Sequence, residues 1–447
     1  MNKLDTALVR SALKEAGFTL TENVDDADVV LLNTCSVRQH AEQRVLSHLG
    51  NLAHIKETRP DMVVGVIGCM AQRLGNKLLE HKAVNIVCGP AQIPQIATLV
   101  TEALREKKKT LAVTAKIRQA TEEQTQKFEE FESAYGLEDK QLPAQAFVRA
   151  MHGCNNFCSY CIVPYVRGPE VCRAPEAIIS QIKKLADNGV KQVMLLGQRI
   201  NAYKYKSGEK TYCLADLLSM ASDIAGIKWL KFVTNYPAEE FFDQILNVMS
   251  DLPKVCEYLH IPAQSGSDKI LRAMNRHYTA GWYLELLDRA RVAVPGIAIA
   301  GDFIVGFPGE TEEDFAATVE LVKKAKYRNC FIFKYSPRPD TTADKRLQDN
   351  VPAEVKQRRN VELLAVQEKV SDELSKAFLG REVKVLVEGL SKKSHRNVGD
   401  SAAGPQLMGR TADDWIVVFN GPESLAGEFA KVKITRVSPL TLFGELT

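Results

Sequence analysis

Three cysteines, Cys154, Cys158 and Cys161, stand in the run Gly153-Cys-Asn-Asn-Phe-Cys-Ser-Tyr-Cys161, separated by three residues and then by two. Three thiolates on one short loop suit three irons of a [4Fe–4S] cube, because soft sulfur ligands favour iron–sulfur clusters. The remaining iron then has no protein ligand. It can chelate a small molecule, and the reduced cluster can pass that molecule an electron. Zinc is the competing reading. Structural zinc takes four closed ligands, commonly as paired C-x2-C units, and no second pair follows here. His152 adjoins the loop, but its neighbouring position makes it a poor fourth ligand.

A second pair of thiols, Cys35 and Cys69, closes two apolar runs, Asp28-Val-Val-Leu-Leu-Asn-Thr-Cys35 and Met62-Val-Val-Gly-Val-Ile-Gly-Cys69. A thiol in an apolar strand is ordinarily inert packing. Two thiols at adjacent strand ends, each followed by a polar turn and an arginine (Arg38, Arg73), fit a ligand pair as well. Cys88 reads as a small hydrophobe, and Cys172, Cys213, Cys256 and Cys330 have no ligand spacing. No catalytic acid or base stands out.

The elements that must hold these residues are legible from hydrophobic pattern. The two runs above, with Asn85-Ile-Val-Cys88-Gly89, fit parallel strands buried on both faces and covered by the helices between them. Both Cys35 and Cys69 then lie at the C-terminal sheet edge, where open α/β sheets bind ligands. Lys107 to Leu142 is charged and poorly periodic, and reads as a linker with some helical content ending at Pro143. Six strand-like runs follow: Ala146–His152, Gln192–Gly197, Trp229–Thr234, Tyr258–Ala263, Ile297–Gly306 and Cys330–Tyr335. Such repeats predict an incomplete parallel barrel, with the cysteine loop on its C-terminal rim. After a basic helical connector, Val383–Glu388, Gln406–Gly409, Trp415–Asn420, Ala430–Val437 and Leu440–Leu446 predict a small antiparallel barrel.

At 447 residues, with 45% hydrophobic and 25% charged residues, the chain has the composition of a globular protein of several domains. A net charge of +3 does not by itself argue for nucleic acid. No signal-peptide pattern or membrane-length apolar run is evident. Ten cysteines in such a chain read as metal ligands and buried thiols, so a reducing compartment, the cytoplasm, is expected.

The C-x3-C-x2-C spacing is similar to that of radical S-adenosylmethionine (SAM) enzymes. The whole chain resembles the methylthiotransferases of that superfamily, and within them the MiaB-type branch that acts on transfer RNA. The match is carried by Asn33-Thr-Cys35-Ser-Val-Arg38, Gly68-Cys69-Met-Ala-Gln-Arg73, Gly153–Cys161 with Ile162-Val-Pro-Tyr-Val-Arg-Gly168, His260-Ile-Pro-Ala-Gln-Ser-Gly-Ser267, Met274-Asn-Arg-His, Tyr335-Ser-Pro-Arg-Pro339 and Met408-Gly-Arg-Thr411.

The resemblance implies an α/β fold: an N-terminal flavodoxin-like domain over 1–115, a linker over 116–143, a central (β/α)6 radical SAM barrel over 144–355, a helical connector over 356–379 and a TRAM-like RNA-binding barrel over 380–447. It implies addition of a methylthio group to C2 of N6-isopentenyladenosine at position 37 of tRNA, next to the anticodon. Alternatives are the N6-threonylcarbamoyl form of that base, or a non-catalytic cluster-bearing RNA-binding protein. The implied cofactors are SAM and two [4Fe–4S] clusters, one on Cys154, Cys158 and Cys161 and one on Cys35, Cys69 and a third ligand. The family draws that third ligand from a Cys-Gln-Met-Asn-x-x-Asp motif, and this chain begins at its third residue, Met1-Asn-Lys-Leu-Asp5. A start further upstream in the gene is expected. The short chain as it stands would carry a labile second cluster and a sheet without a central strand.

Candidate SAM contacts are Arg173 for the carboxylate (or else a surface ion pair), Gly197 and Gln198 for the amino group, and Gln264 and Ser265 on the rim. Arg199, Asn235, Tyr236 and Asp340 depart from the usual residues, and Asp340 is expected in a left-handed turn. Lys392, Lys393, Arg396, Arg410, Lys431 and Lys433 are candidate phosphate contacts. The implied partners are tRNA, an electron donor such as flavodoxin or ferredoxin and an unidentified sulfur donor; a monomer with no membrane association is expected.

Overall fold

A computed structural model describes residues 1–36, 39–115, 122–135, 143–391 and 404–447. Arg38, Lys392, Lys393 and Arg396 lie outside these. The chain forms two compact units, Met1–Lys140 with Phe147–Lys184 and Ser336–Arg346, and Gln141–Ala146 with Leu185–Tyr335 and Leu347–Thr447.

In the first unit α1 (Asn2–Glu15), β1 (Val29–Thr34), α2 (Gln39–Thr58), β2 (Val63–Gly68), α3 (Cys69–Leu74), α4 (Asn76–Leu79), β3 (Ile86–Cys88), α5 (Ile96–Glu106) and β4 (Thr110–Ala112) build a parallel sheet in the order β1-β2-β3-β4. All six residues of β2 are buried, as a β-branched run between two helical layers requires. Helix α5 buries Ile96, Leu99, Val100 and Ala103, one face at helical spacing. The sheet is continuous, because β1 pairs with β2 from Val29↔Val63 to Thr34↔Gly68. Strand β4 falls inside the stretch read as linker, where only three residues pair.

The same unit continues with α6 (Glu122–Ser133), most of β5 (Gln145–Arg149), β6 (Met151–His152), α7 (Val163–Val166), β7 (Val171–Cys172) and the greater part of α8 (Pro175–Asp187).

In the second unit β8 (Gln192–Leu196), β9 (Lys204–Ser207), β10 (Lys210–Cys213), α9 (Leu214–Ser222), β11 (Trp229–Val233), α10 (Phe242–Asp251), β12 (Tyr258–His260), α11 (Asp268–Ala273), α12 (Ala280–Ala293), β13 (Ala298–Val305), α13 (Glu312–Ala325) and β14 (Asn329–Lys334) alternate as expected. Strands β8 and β11 pair in parallel, as do β12, β13 and β14. With β5 they coincide with the six runs of the expected incomplete barrel. Helix α14 (Thr342–Arg346) belongs to the first unit, and α15 (Ala353–Lys376) leads to the C-terminal strands.

Strands β15 (Glu382–Leu390), β16 (Gln406–Arg410), β17 (Ile416–Asn420), β18 (Phe429–Val437) and β19 (Thr441–Leu446) close a barrel in the order β15-β16-β17-β19-β18. Val385, Val387, Leu407, Val417, Phe419, Val432, Ile434 and Leu442 fill it. One pairing, β17 with β19, is parallel, which corrects the expectation of a wholly antiparallel barrel. Alternation fixes which face is buried, not strand direction. The barrel is seated on β11: Trp229 meets Phe429 edge-on at 4.8 Å, and Lys231 Nζ donates to Thr411 O at 3.1 Å. Among the described residues no helix is long and apolar enough to cross a membrane.

Candidate functional site

The three-cysteine loop follows β6 and is closed on itself. Cys154 N–H donates to Gly168 O at 3.1 Å, and Cys161 N–H to Cys158 O at 2.9 Å. Asn155 N–H reaches Glu170 Oε1 at 3.2 Å, while Glu170 N–H reaches Asn155 Oδ1 at 3.4 Å. Residues 168–170 are thus laid alongside 153–155 like a buckle. Gly153, at φ +76°, permits this closeness: a Cβ there would sit 2.7 Å from Gly168 O and nearer still to the Pro169 carbonyl. Phe157 also adopts a positive φ of +46°, a strained state for a bulky residue that its surroundings must enforce. Cys158 is buried, while Cys154 and Cys161 are half-buried. Ala343 N–H donates to Ser159 O at 2.7 Å, which pins the loop to the segment after Pro339. Asp340 there has φ +75°, the left-handed turn expected of it.

Cys35 and Cys69 follow the last register pair of β1 and β2, Thr34↔Gly68. Gly68, at φ +95°, would place a Cβ 2.7 Å from Thr34 O, so only glycine lets these strand ends meet. Cys69 opens α3 and packs against Ile162, which follows Cys161, and Val166, the last residue of α7. Burial pushes the Cys69 thiol up; the Arg167 guanidinium, which hydrogen-bonds its sulfur, works the other way. The structure therefore brings Cys69 beside the segment that follows the three-cysteine loop. Arg73 takes another role, pairing with Glu42 at 2.7 Å. Cys88, packed in the sheet core, is pushed up to about 12 by burial.

Around these cysteines runs a buried ion network that spacing alone did not reveal. Asp5 of α1 is bonded by Arg149 and, at 2.8 Å, by Arg167. Burial opposes the Asp5 charge, but the two guanidinium groups prevail and hold the carboxyl at about 2. Arg149 continues to Glu132 of α6 at 3.1 Å and lies over the Phe128 ring. Burial raises Glu132, and burial together with Arg149 lowers His152 to about 3. His152 is thus held neutral, its ring tilted by 42° against Phe128 at 5.1 Å between centroids.

The donor set fits a cluster held by the loop. Three thiols stand on a buckled segment with one sulfur buried, in the chemistry that iron–sulfur sites use. Among the described residues no three His, Cys, Asp or Glu side chains converge where one ion could sit. A cube presents separate irons, so its ligands need not converge.

The expected SAM contacts fare unequally. Arg173 is buried and bonds Glu129 through Nε at 2.7 Å and Nη2 at 2.6 Å, with Gln181 at 2.8 Å. Its guanidinium is held by these partners inside the protein, so the ion pair it makes is a buried one and not a surface one. Ser265 is 1% exposed and accepts from Ser267 N–H at 3.2 Å, with its hydroxyl facing Thr318 of α13. Gly197 and Gln198 follow β8, and Gln198 Oε1 is buried without a hydrogen-bond partner. Gln264 is held at φ +73° between Asp302 O and Ile304 N–H, again a strained position at a strand end. Two residues not singled out as contacts, Asn235 and His260, also bury unpartnered atoms, Oδ1 and Nδ1, at the ends of β11 and β12. The signal for them was their place after a barrel strand.

Residues 148–322 match the Radical SAM superfamily, residues 1–89 the uncharacterized protein family UPF0004, and residues 376–447 the TRAM domain. A radical SAM methyltransferase, TsrM from Kitasatospora setae, solved with cobalamin and a [4Fe-4S] cluster, has a TM-score of 0.54 at 13% identity over 76% of this chain and 70% of that one. That likeness concerns the fold alone. The chain is 41% identical to tRNA-2-methylthio-N(6)-dimethylallyladenosine synthase from Rhodopirellula baltica, covering 100% of this chain and 93% of the relative. It is 38% identical to the enzyme of that name from Porphyromonas gingivalis and 40% to that from Thermoanaerobacter sp., covering 100% of this chain and 92% and 90% of the relatives. With identity of this order along its whole length, the chain belongs to the tRNA-2-methylthio-N(6)-dimethylallyladenosine synthase family of radical SAM enzymes.

Proposed function

We propose that the protein adds a methylthio group to C2 of N6-isopentenyladenosine beside the anticodon of tRNA. Full-length identity with enzymes of that name carries the reading, and the buckled loop of Cys154, Cys158 and Cys161 supports it. An aromatic C–H without acidity lies beyond acid–base side chains, which fits a site where cofactors do the hard step and the protein positions them. When bound, the loop's [4Fe–4S] cluster and SAM supply an electron and a carbon-centred radical.

Cys154, Cys158 and Cys161 hold that cluster. Cys35 and Cys69 hold part of a second one, at a sheet edge drawn to the segment after Cys161. Gly197 and Gln198 offer acceptors for SAM, with Gln264 on the same barrel rim; Arg173 and Ser265 are left out for the reasons given above. Residues 1–115 form the methylthiotransferase N-terminal domain, 144–355 the radical SAM core and 380–447 the RNA-binding domain, where Arg410, Lys431 and Lys433 contact phosphates. A flavodoxin or ferredoxin provides electrons. The protein works as a cytoplasmic monomer.

Anaerobic reconstitution followed by SAM and dithionite tests the chemistry, with 5′-deoxyadenosine as the expected product; its absence defeats the reading. Nucleoside mass spectrometry of tRNA from a deletion strain tests the substrate. Loss of the methylthio-isopentenyl product is expected, and loss of the threonylcarbamoyl counterpart instead would reassign it. Iron content near eight per chain would mean two cubes, and near four the loop's cube alone.

A further inference from the structure

Arg167 belongs at once to the loop's buckle and to the neighbourhood of Cys69. Its successor, Gly168, supplies the carbonyl that receives Cys154 N–H. Its predecessor, Val166, packs on Cys69. Its guanidinium is 6% exposed and bonds Asp5 at 2.8 Å, and it also hydrogen-bonds the Cys69 thiol, which Val166 packs against. Asp5 is gripped from the other side by Arg149, so the guanidinium cannot swing away without leaving a buried carboxylate short of a partner. Three consecutive residues, Val166, Arg167 and Gly168, therefore touch both cysteine sets in a single arrangement.

We propose that Arg167 is a positioning residue through which the cysteine pair Cys35–Cys69 and the loop Cys154–Cys161 sense each other. The proposal rests on reading both sets as cluster ligands. An ion pair serving stability alone would need only Asp5. The added bond to Cys69 is what makes the sulfur's state felt at Gly168 and so at Cys154. Donors to ligand sulfurs orient and tune metal sites in this way.

A double-mutant cycle tests it. The rate at which a chelator removes the loop's cluster is followed through the EPR signal that SAM perturbs, in the wild type, C69A, R167Q, C69A/R167Q and R167K. If the coupling is real, C69A and R167Q each speed the loss about fivefold, and the double variant is no faster than R167Q. R167K, which keeps the charge and a donor, recovers most of the wild-type rate. Multiplying effects in the double variant, or loss from R167Q at the wild-type rate, would overturn the proposal. Should R167Q not fold by circular dichroism, D5N, which loosens the guanidinium without removing it, takes its place with the same expectation. A wild type that takes up no iron would instead defeat the cluster reading itself, an outcome distinct from uncoupled sites.

Discussion

Two glycines with almost the same backbone isolate what the loop's closure contributes. Gly153 has φ +76° and Gly309 has φ +78°. An alanine at either position carries the left-handed penalty of about 1–2 kcal/mol. At Gly309 the new methyl meets nothing within 4 Å, so that penalty is the whole effect. At Gly153 it falls 2.7 Å from Gly168 O and closer to the Pro169 carbonyl, inside the 3.0 Å that Cβ atoms do not breach. All of these are backbone atoms, so no side chain can simply turn aside. The 168–170 segment must retreat, and with it the carbonyl that accepts Cys154 N–H at 3.1 Å. Overpacking adds at least ~1 kcal/mol, and the lost hydrogen bond about 1 kcal/mol. The excess of G153A over G309A is therefore about 2 kcal/mol, a factor of about 30. The assay is iron retention in chelator after anaerobic reconstitution. We expect G309A to hold iron within a few-fold of the wild type and G153A to lose it some thirty times faster or never load. If G153A retains iron as G309A does, the buckle does not position the cysteines.

Three further outcomes follow from buried groups. Asp5 sits at about 2 against an ordinary 3.8; the folded value is the lower one, so its stabilisation is complete above about pH 4 and lost as pH falls to 2. That is roughly 2 kcal/mol by 1.36 per unit, so urea titrations followed by circular dichroism should show the loss in the wild type and not in D5N. S265A removes the acceptor of Ser267 N–H and should cost about 1 kcal/mol while leaving SAM affinity unchanged; weakened SAM binding would restore Ser265 to the site. K231M strips Thr411 O of a donor and Asp414 of a buried cation. It should cost about 3 kcal/mol and speed proteolysis between 376 and 382, and an unchanged digest would mean the C-terminal barrel is held elsewhere.

Which parts of this were legible beforehand follows from how far each signal reaches along the chain. Strands β1, β2, β8 and β13 are dense apolar runs, so their position and their ends could be read from neighbouring residues. The three-residue strand β4 carries Thr110 and Ala112 around one leucine, too little to stand out from the basic stretch before it. The pairing of Arg173 with Glu129 was not legible because that partner stands 44 residues away on a helix inside the presumed linker. The burial of Ser265 was not legible either: strand ends in barrels usually face ligands, whereas here Gly266 lets α13 approach so closely that a Cβ would meet Thr318 Cα at 2.6 Å. Asp5 lies 144 residues from Arg149, and no periodicity connects them.

The ion network invites the question of why a site built from soft sulfur ligands should be framed by buried charge. Replacing such groups with well-packed hydrophobes is often neutral or stabilising, so stability is a weak reason for Asp5, Arg149 and Arg167. Apolar packing, however, tolerates sliding, while a fork bonded to two partners fixes both distance and direction. Arg149 and Arg167 approach the same carboxylate from the strand before the loop and the helix after it. The two stems of the cysteine loop are therefore tied to one point on α1. Arg149 then passes on to Glu132, and Arg173 from beyond the loop lies 3.9 Å from that same carboxylate. Each stem is thus fixed twice against an acid from a different helix. If the three sulfurs meet three separate irons, as proposed above, they need their separations held more than they need their surroundings stabilised, and a doubly anchored frame supplies that.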